Sequence, residues 1–156
     1  MTLAWRLVKK RHSSTAFDGQ GARLFGGRWN HQGIEAVYLA DSLALAALEQ
    51  FIHLGPDGAA LEYAFFTVNI PDSVAIERLD PMRLPPDWRE EPPGDAGKDL
   101  GTGCLRKSAA ALLQVPSALM PRPHGYNYLL NPRHPDFTKL KIVGPQPFSF
   151  DPRMFK

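Results

Sequence analysis

A chain of 156 residues falls within the size range of one ordinary domain, so one core is expected rather than two domains. Eighteen Lys and Arg against 16 Asp and Glu leave a formal charge of +2, too small for the basic surface that neutralises many phosphates on a duplex, so nucleic acid is not an expected partner. The one cysteine, Cys104, closes no intramolecular disulfide, and no apolar run matches a signal segment or the roughly 20 residues that span a bilayer, so the reading is a cytoplasmic protein of a reducing compartment.

Taken in chain order, Arg11 to Gly33 carries Gly19, Gly21, Gly26, Gly27 and Gly33 without a sustained hydrophobic period, which predicts an ordered surface loop of functional length. EAVYLA (Glu35 to Ala40) alternates, with Tyr38 on the less apolar side, and reads as a short strand. Asp41 or Ser42 can cap the segment SLALAALEQFIHL, which has no breaker before Gly55-Pro56 and predicts a largely buried helix. Its one carboxylate, Glu49, lies at the edge of the polar stripe beside Leu45 and Ile52, on the border of the interior.

LEYAFFTVNI (Leu61 to Ile70) is the clearest strand, rich in aromatic and β-branched residues, and AIERL (Ala75 to Leu79) reads as a shorter one. Residues 80–104 then hold so many prolines and glycines that a long irregular excursion is expected, a candidate for contact with a target. Lys107 to Pro116 begins helix-like and ends strand-like, Asn127 to Asn131 alternates weakly, and Lys139 to Val143 is strand-like. Strands in both halves with a helix near residue 45 predict a single α+β domain over residues 1–156, built on a mixed or split, mainly antiparallel sheet.

Three common chemistries find little support. His12, His31, His53, His124 and His134 are scattered, with no pair at i, i+4 and no cysteine pair, so no metal is expected. GARLFGGR spaces its glycines like a triphosphate loop, but Arg28 stands where the lysine belongs. Neither Ser13, Ser14 nor Ser117 occupies a nucleophile elbow. What remains is Arg28, Tyr38 and Glu49, spaced so that a glycine loop, a strand and the following helix can bring them together. Each also has a plain structural reading: Arg28 paired with a surface carboxylate, Tyr38 a half-buried strand aromatic, Glu49 a solvated helix residue.

The segment FDGQGARLFGGRWNHQG followed by VYLADSLALAALE resembles the N-terminal motif of RES-domain proteins, the toxins of bacterial RES–Xre toxin–antitoxin systems. VPSALMPRPHGYNYLLNPRHPDF and the closing PFSFDPRMF resemble that family's C-terminal motifs in the same order; in GTGCL, Cys104 stands where the family commonly has Trp. The resemblance implies a fold like that of ADP-ribosyltransferase toxins and NAD+ as the substrate, with ADP-ribose passed to a cellular protein, to water or to phosphate. It implies that Arg28 binds the pyrophosphate, that Glu49 stabilises an oxocarbenium-like ribose, that Tyr38 faces the nicotinamide or ribose, and that Ser117 and Asn127 hydrogen-bond the substrate. It further implies neutralisation by an Xre-type antitoxin that covers the site. A catalytically inactive nucleotide- or partner-binding module is the alternative.

Overall fold

The computed structural model describes residues 1–156 and arranges seven strands in one sheet. They are β1 (Thr2–Lys9), β2 (Val37–Ala40), β3 (Tyr63–Ile70), β4 (Ile76–Arg78), β5 (Leu112–Pro116), β6 (Tyr126–Leu130) and β7 (Lys141–Phe148), in the spatial order β4-β5-β6-β2-β1-β3-β7. Only β4 and β5 pair in parallel, so the sheet is mixed and mainly antiparallel, as the sequence predicts. The helices are α1 (Gln20–Phe25), α2 (Leu43–Phe51) and α3 (Asp95–Lys107), with short 3₁₀ turns between. None is long and apolar enough to cross a membrane.

Alternation explains how the middle of the sheet is covered on both faces. Leu112 pairs with Leu130 and Leu113 with Leu129. The first pair packs with Val37, Leu39 and Val68, and the second with Trp29, Ala36 and Leu105. Tyr38 belongs to the second face and packs against the cluster of Trp29 and Leu129. On the other half of the sheet, Leu45 and Ala46 of α2 meet Leu7, Ala40 and Tyr63. Ser42 caps α2, its side chain accepting from the Leu45 amide at 3.0 Å, while Asp41 Oδ2 accepts from the Tyr126 amide at 3.0 Å.

The loop predicted over Arg11 to Gly33 holds the short helix α1, and the strand predicted over Lys139 to Val143 runs instead from Lys141 to Phe148. Two further segments differ more. β1, the strand between β2 and β3, is absent from the sequence reading because both of its faces carry apolar residues, Leu3, Trp5 and Leu7 on one and Ala4 and Val8 on the other, so no alternation shows, and Arg6 interrupts the run. The excursion over residues 80–104 lacks a longer helix only up to Gly94, since α3 starts at Asp95. Asp95 in its first turn and Arg106 and Lys107 in its last favour the helix through its dipole. Its glycines, which read as breakers, are packing residues: a Cβ on Gly97 would lie 3.2 Å from the Arg28 carbonyl oxygen, and one on Gly101 would lie 1.9 Å from that of Trp29. The helix therefore rests on the loop backbone that carries Arg28, and His31 N–H donates to Thr102 Oγ1 at 3.0 Å along the same seam. Gly101→Ala should lower stability by about 1–3 kcal/mol, although alanine favours an isolated helix by ~1 kcal/mol over glycine. A lower midpoint in urea unfolding checks this; an unchanged or higher midpoint would show that the helix does not need the close approach.

Candidate active site

The glycine loop, β2, α2 and β6 converge on one cavity of about 920 Å³. That is at the upper end of the usual range for small-molecule sites, about 300–1,000 Å³. Arg28, Tyr38, Glu49 and Asn127 all line it. Ser117 does not: it is fully buried behind the wall, at the end of β5.

Glu49 sits at the C-terminal end of α2, half-buried, with both carboxylate oxygens engaged. Ser117 Oγ donates to Oε1 at 2.8 Å and Asn127 Nδ2 donates to Oε2 at 2.8 Å. Ser117 is itself fixed, because its hydroxyl oxygen accepts from the Leu119 amide at 3.2 Å. Burial pushes the Glu49 carboxyl above the ordinary range, while the hydrogen bonds from Ser117 and Asn127, and then the charges of His53 and Arg28, pull it back. The product is an oriented carboxylate facing a partly desolvated space.

Tyr38 uses its hydroxyl on the protein. It donates to Asn30 Oδ1 at 2.6 Å and accepts from the Trp29 amide at 3.1 Å, and burial raises its pKa far above that of free tyrosine, so it stays protonated. Gly27 makes this possible, since a Cβ there would lie 2.6 Å from the hydroxyl. The hydroxyl thus ties the loop to the sheet.

Arg28 is held by the strap of residues 84–94. Its Nη1 donates to the carbonyls of Trp88 and Glu90, each at 2.8 Å, and its Nη2 pairs with Glu91 Oε2 at 2.9 Å. The strap is pinned in turn by Arg89, which lies 4.4 Å over the Trp88 ring and donates to the Ala118 carbonyl at 3.1 Å. The pairing of Arg28 with a carboxylate, one of the plain readings of the sequence, is therefore present, and Glu91 also lines the cavity.

Arg6, a buried cation on the cavity wall, escapes the sequence reading, as does Glu91. Arg6 of β1 donates from Nε to the Ala16 carbonyl at 2.5 Å and from Nη1 to the Tyr38 carbonyl at 3.0 Å. Burial lowers its guanidinium to about 10, opposed by the charge of Asp18. A lone arginine inside the apolar run LAWRLV is the signal that could have found it, because a buried cation needs a partner or a ligand.

Residues 3–151 match the RES domain. The chain is 40% identical over 153 residues to a protein of Yersinia enterocolitica serotype O:8 called Toxin Res, covering 97% of this chain and 99% of that one. It is 36% identical over 159 residues to the Prs ADP-ribosylating toxin of a Sphingobium strain, covering 99% of this chain and 98% of the relative. Among solved structures, the M. tuberculosis MbcT–MbcA toxin–antitoxin complex contains a chain of the same fold, with a TM-score of 0.75 at 20% identity over 99% of this chain and 86% of that one. A match over nearly the whole sequence, carried by relatives of equal length, makes this chain a member of the RES-domain family.

Proposed function

We propose that the protein is the toxin of a toxin–antitoxin pair and that it consumes NAD+, cleaving the nicotinamide–ribose bond and passing ADP-ribose to an acceptor. The observation that carries the reading is Glu49: one carboxylate, held through both oxygens at 2.8 Å, on the wall of a cavity that also holds Arg28. Cleavage of this bond builds positive charge on the ribose while nicotinamide departs neutral, so the step needs a fixed anion and no proton donor. A preorganised carboxylate in a partly desolvated cavity supplies that anion with little reorganisation.

Arg28 offers a planar fork for the pyrophosphate. Because the Tyr38 hydroxyl is spent on the loop, its contribution to substrate is the ring face, suited to stacking on nicotinamide. Asn127 and Ser117 act here chiefly through Glu49, and Ser117, being buried, acts only through it. The Sphingobium relative is called a Prs ADP-ribosylating toxin, which supports testing Prs as the acceptor ahead of water or phosphate. The antitoxin in the MbcT–MbcA complex is the ground for an antitoxin partner, of the Xre type that the sequence motifs imply.

Ser117→Ala gives a signed test of the positioning role. Loss of a hydrogen bond to a charged group costs about 1.5 kcal/mol, or roughly tenfold in turnover. The lost donor was lowering the Glu49 carboxyl, so in the variant it rises further, and the acidic limb of the rate profile should move to higher pH. A limb in the wild-type position would show that Ser117 does not tune Glu49.

The function itself is tested with NAD+ carrying label in the adenylate, incubated with the antitoxin-free protein and purified Prs. Label fixed on Prs supports transfer to protein. Free ADP-ribose or its phosphorylated form without labelled protein assigns water or phosphate as the acceptor, and intact NAD+ at high enzyme concentration would refute the reading.

A further inference from the structure

We infer that Glu91 is a displaceable anion on Arg28, a specificity-determining residue whose carboxylate occupies the place a substrate phosphate takes and thereby sets the affinity of the site for NAD+. The inference rests on the reading of Arg28 as the pyrophosphate ligand. Three contacts hold Arg28 to the strap, and they differ in kind. The two to Nη1 come from the Trp88 and Glu90 carbonyls, whose backbone is anchored by Arg89 on Ala118 and by Trp88 beside Trp29, with ring centres 6.2 Å apart. The third, to Nη2, comes from the Glu91 side chain, which is 68% exposed while that of Arg28 is 19% exposed. The carbonyls orient the guanidinium and are neutral; the carboxylate is charged, largely exposed and already on the cavity wall.

An anionic diphosphate and the Glu91 carboxylate cannot share Nη2 without like-charge repulsion at contact distance. Substrate binding therefore exchanges Glu91 for a phosphate oxygen: one ion pair breaks as another forms, and the carboxylate swings to water, where its exposure shows it has room. Because the strap stays anchored at Trp88 and Arg89, the exchange requires rotation of one side chain and no opening of the loop. The contact resembles an intramolecular competitor. Apparent affinity is reduced by the fraction of molecules in which the pair is closed.

Glu91→Gln and Glu91→Ala test this. An exposed ion pair of ordinary strength closes often enough that its removal should lower the KM for NAD+ about 3- to 5-fold, with kcat unchanged. Binding of inorganic pyrophosphate, measured by calorimetry, should tighten by a similar factor in both variants, a readout that needs no turnover. Raised KM in the variants, or unchanged KM with unchanged pyrophosphate binding, would overturn the proposal and make Glu91 an orienting or bystander residue. The Arg28→Ala variant separates the two ideas: if it weakens pyrophosphate binding while the Glu91 variants behave as wild type, the pyrophosphate reading of Arg28 stands and the competitor falls. A wild-type protein that binds pyrophosphate no better than Arg28→Ala removes both.

Discussion

Glu49→Gln should lower nicotinamide release from NAD+ by about 100- to 1,000-fold while the KM for NAD+ stays close to that of the wild type. The substitution keeps the length and helix propensity of the side chain and removes only its charge. The hydrogen-bond frame can persist, since the new amide oxygen accepts from Asn127 and its nitrogen donates to Ser117 Oγ once that hydroxyl turns. On the proposed reading, what is lost is the anion at the ribose, whose interaction strengthens as positive charge develops and is therefore a transition-state interaction. A preorganised group of this kind is worth about 3 to 4 kcal/mol, which sets the size of the fall. Near-normal turnover in a folded Glu49→Gln protein would return Glu49 to a structural helix residue.

For Arg28→Ala, the expected change is of another kind. On the proposed reading the guanidinium meets the pyrophosphate in the ground state and the transition state alike, so its removal should raise the KM for NAD+ about 10- to 100-fold, with a smaller effect on kcat, in line with the roughly 1.5–3 kcal/mol of a hydrogen bond to a charged group. Arg28→Lys restores charge without the planar fork and should recover only part of the loss. The fold should survive, because the contacts given up are the Glu91 side chain and two carbonyls in an exposed strap. A variant with unchanged KM and a large loss in kcat would place Arg28 at the reacting ribose instead.

The parts of this site that the sequence discloses are those written in local patterns. The apolar run after Ser42 and the alternation of residues 37–40 fix a helix and a strand, and their junction fixes where Tyr38 and Glu49 stand. Long-range geometry is not written that way. Ser117 and Asn127 stand out in the motifs as polar residues expected to hydrogen-bond the substrate, but their attachment to Glu49 spans 68 and 78 residues of chain. The same limit hides α3 and β1. Gly97 and Gly101 look like helix breakers until the backbone of Arg28 and Trp29 is laid against them, and Arg6 looks like an interruption of β1 until the cavity wall is drawn. Composition and motif show where chemistry is concentrated; which carboxylate answers which arginine is decided by the folded strap.

The central claim is that the Glu49 cavity breaks the bond between nicotinamide and ribose, and chromatographic measurement of nicotinamide formed against NAD+ consumed tests it most directly. With antitoxin-free wild-type protein, nicotinamide should appear mole for mole as NAD+ disappears, and the rate should collapse in Glu49→Gln. Nicotinamide formed at the same rate by both proteins, or NAD+ lost without release of nicotinamide, would contradict the account.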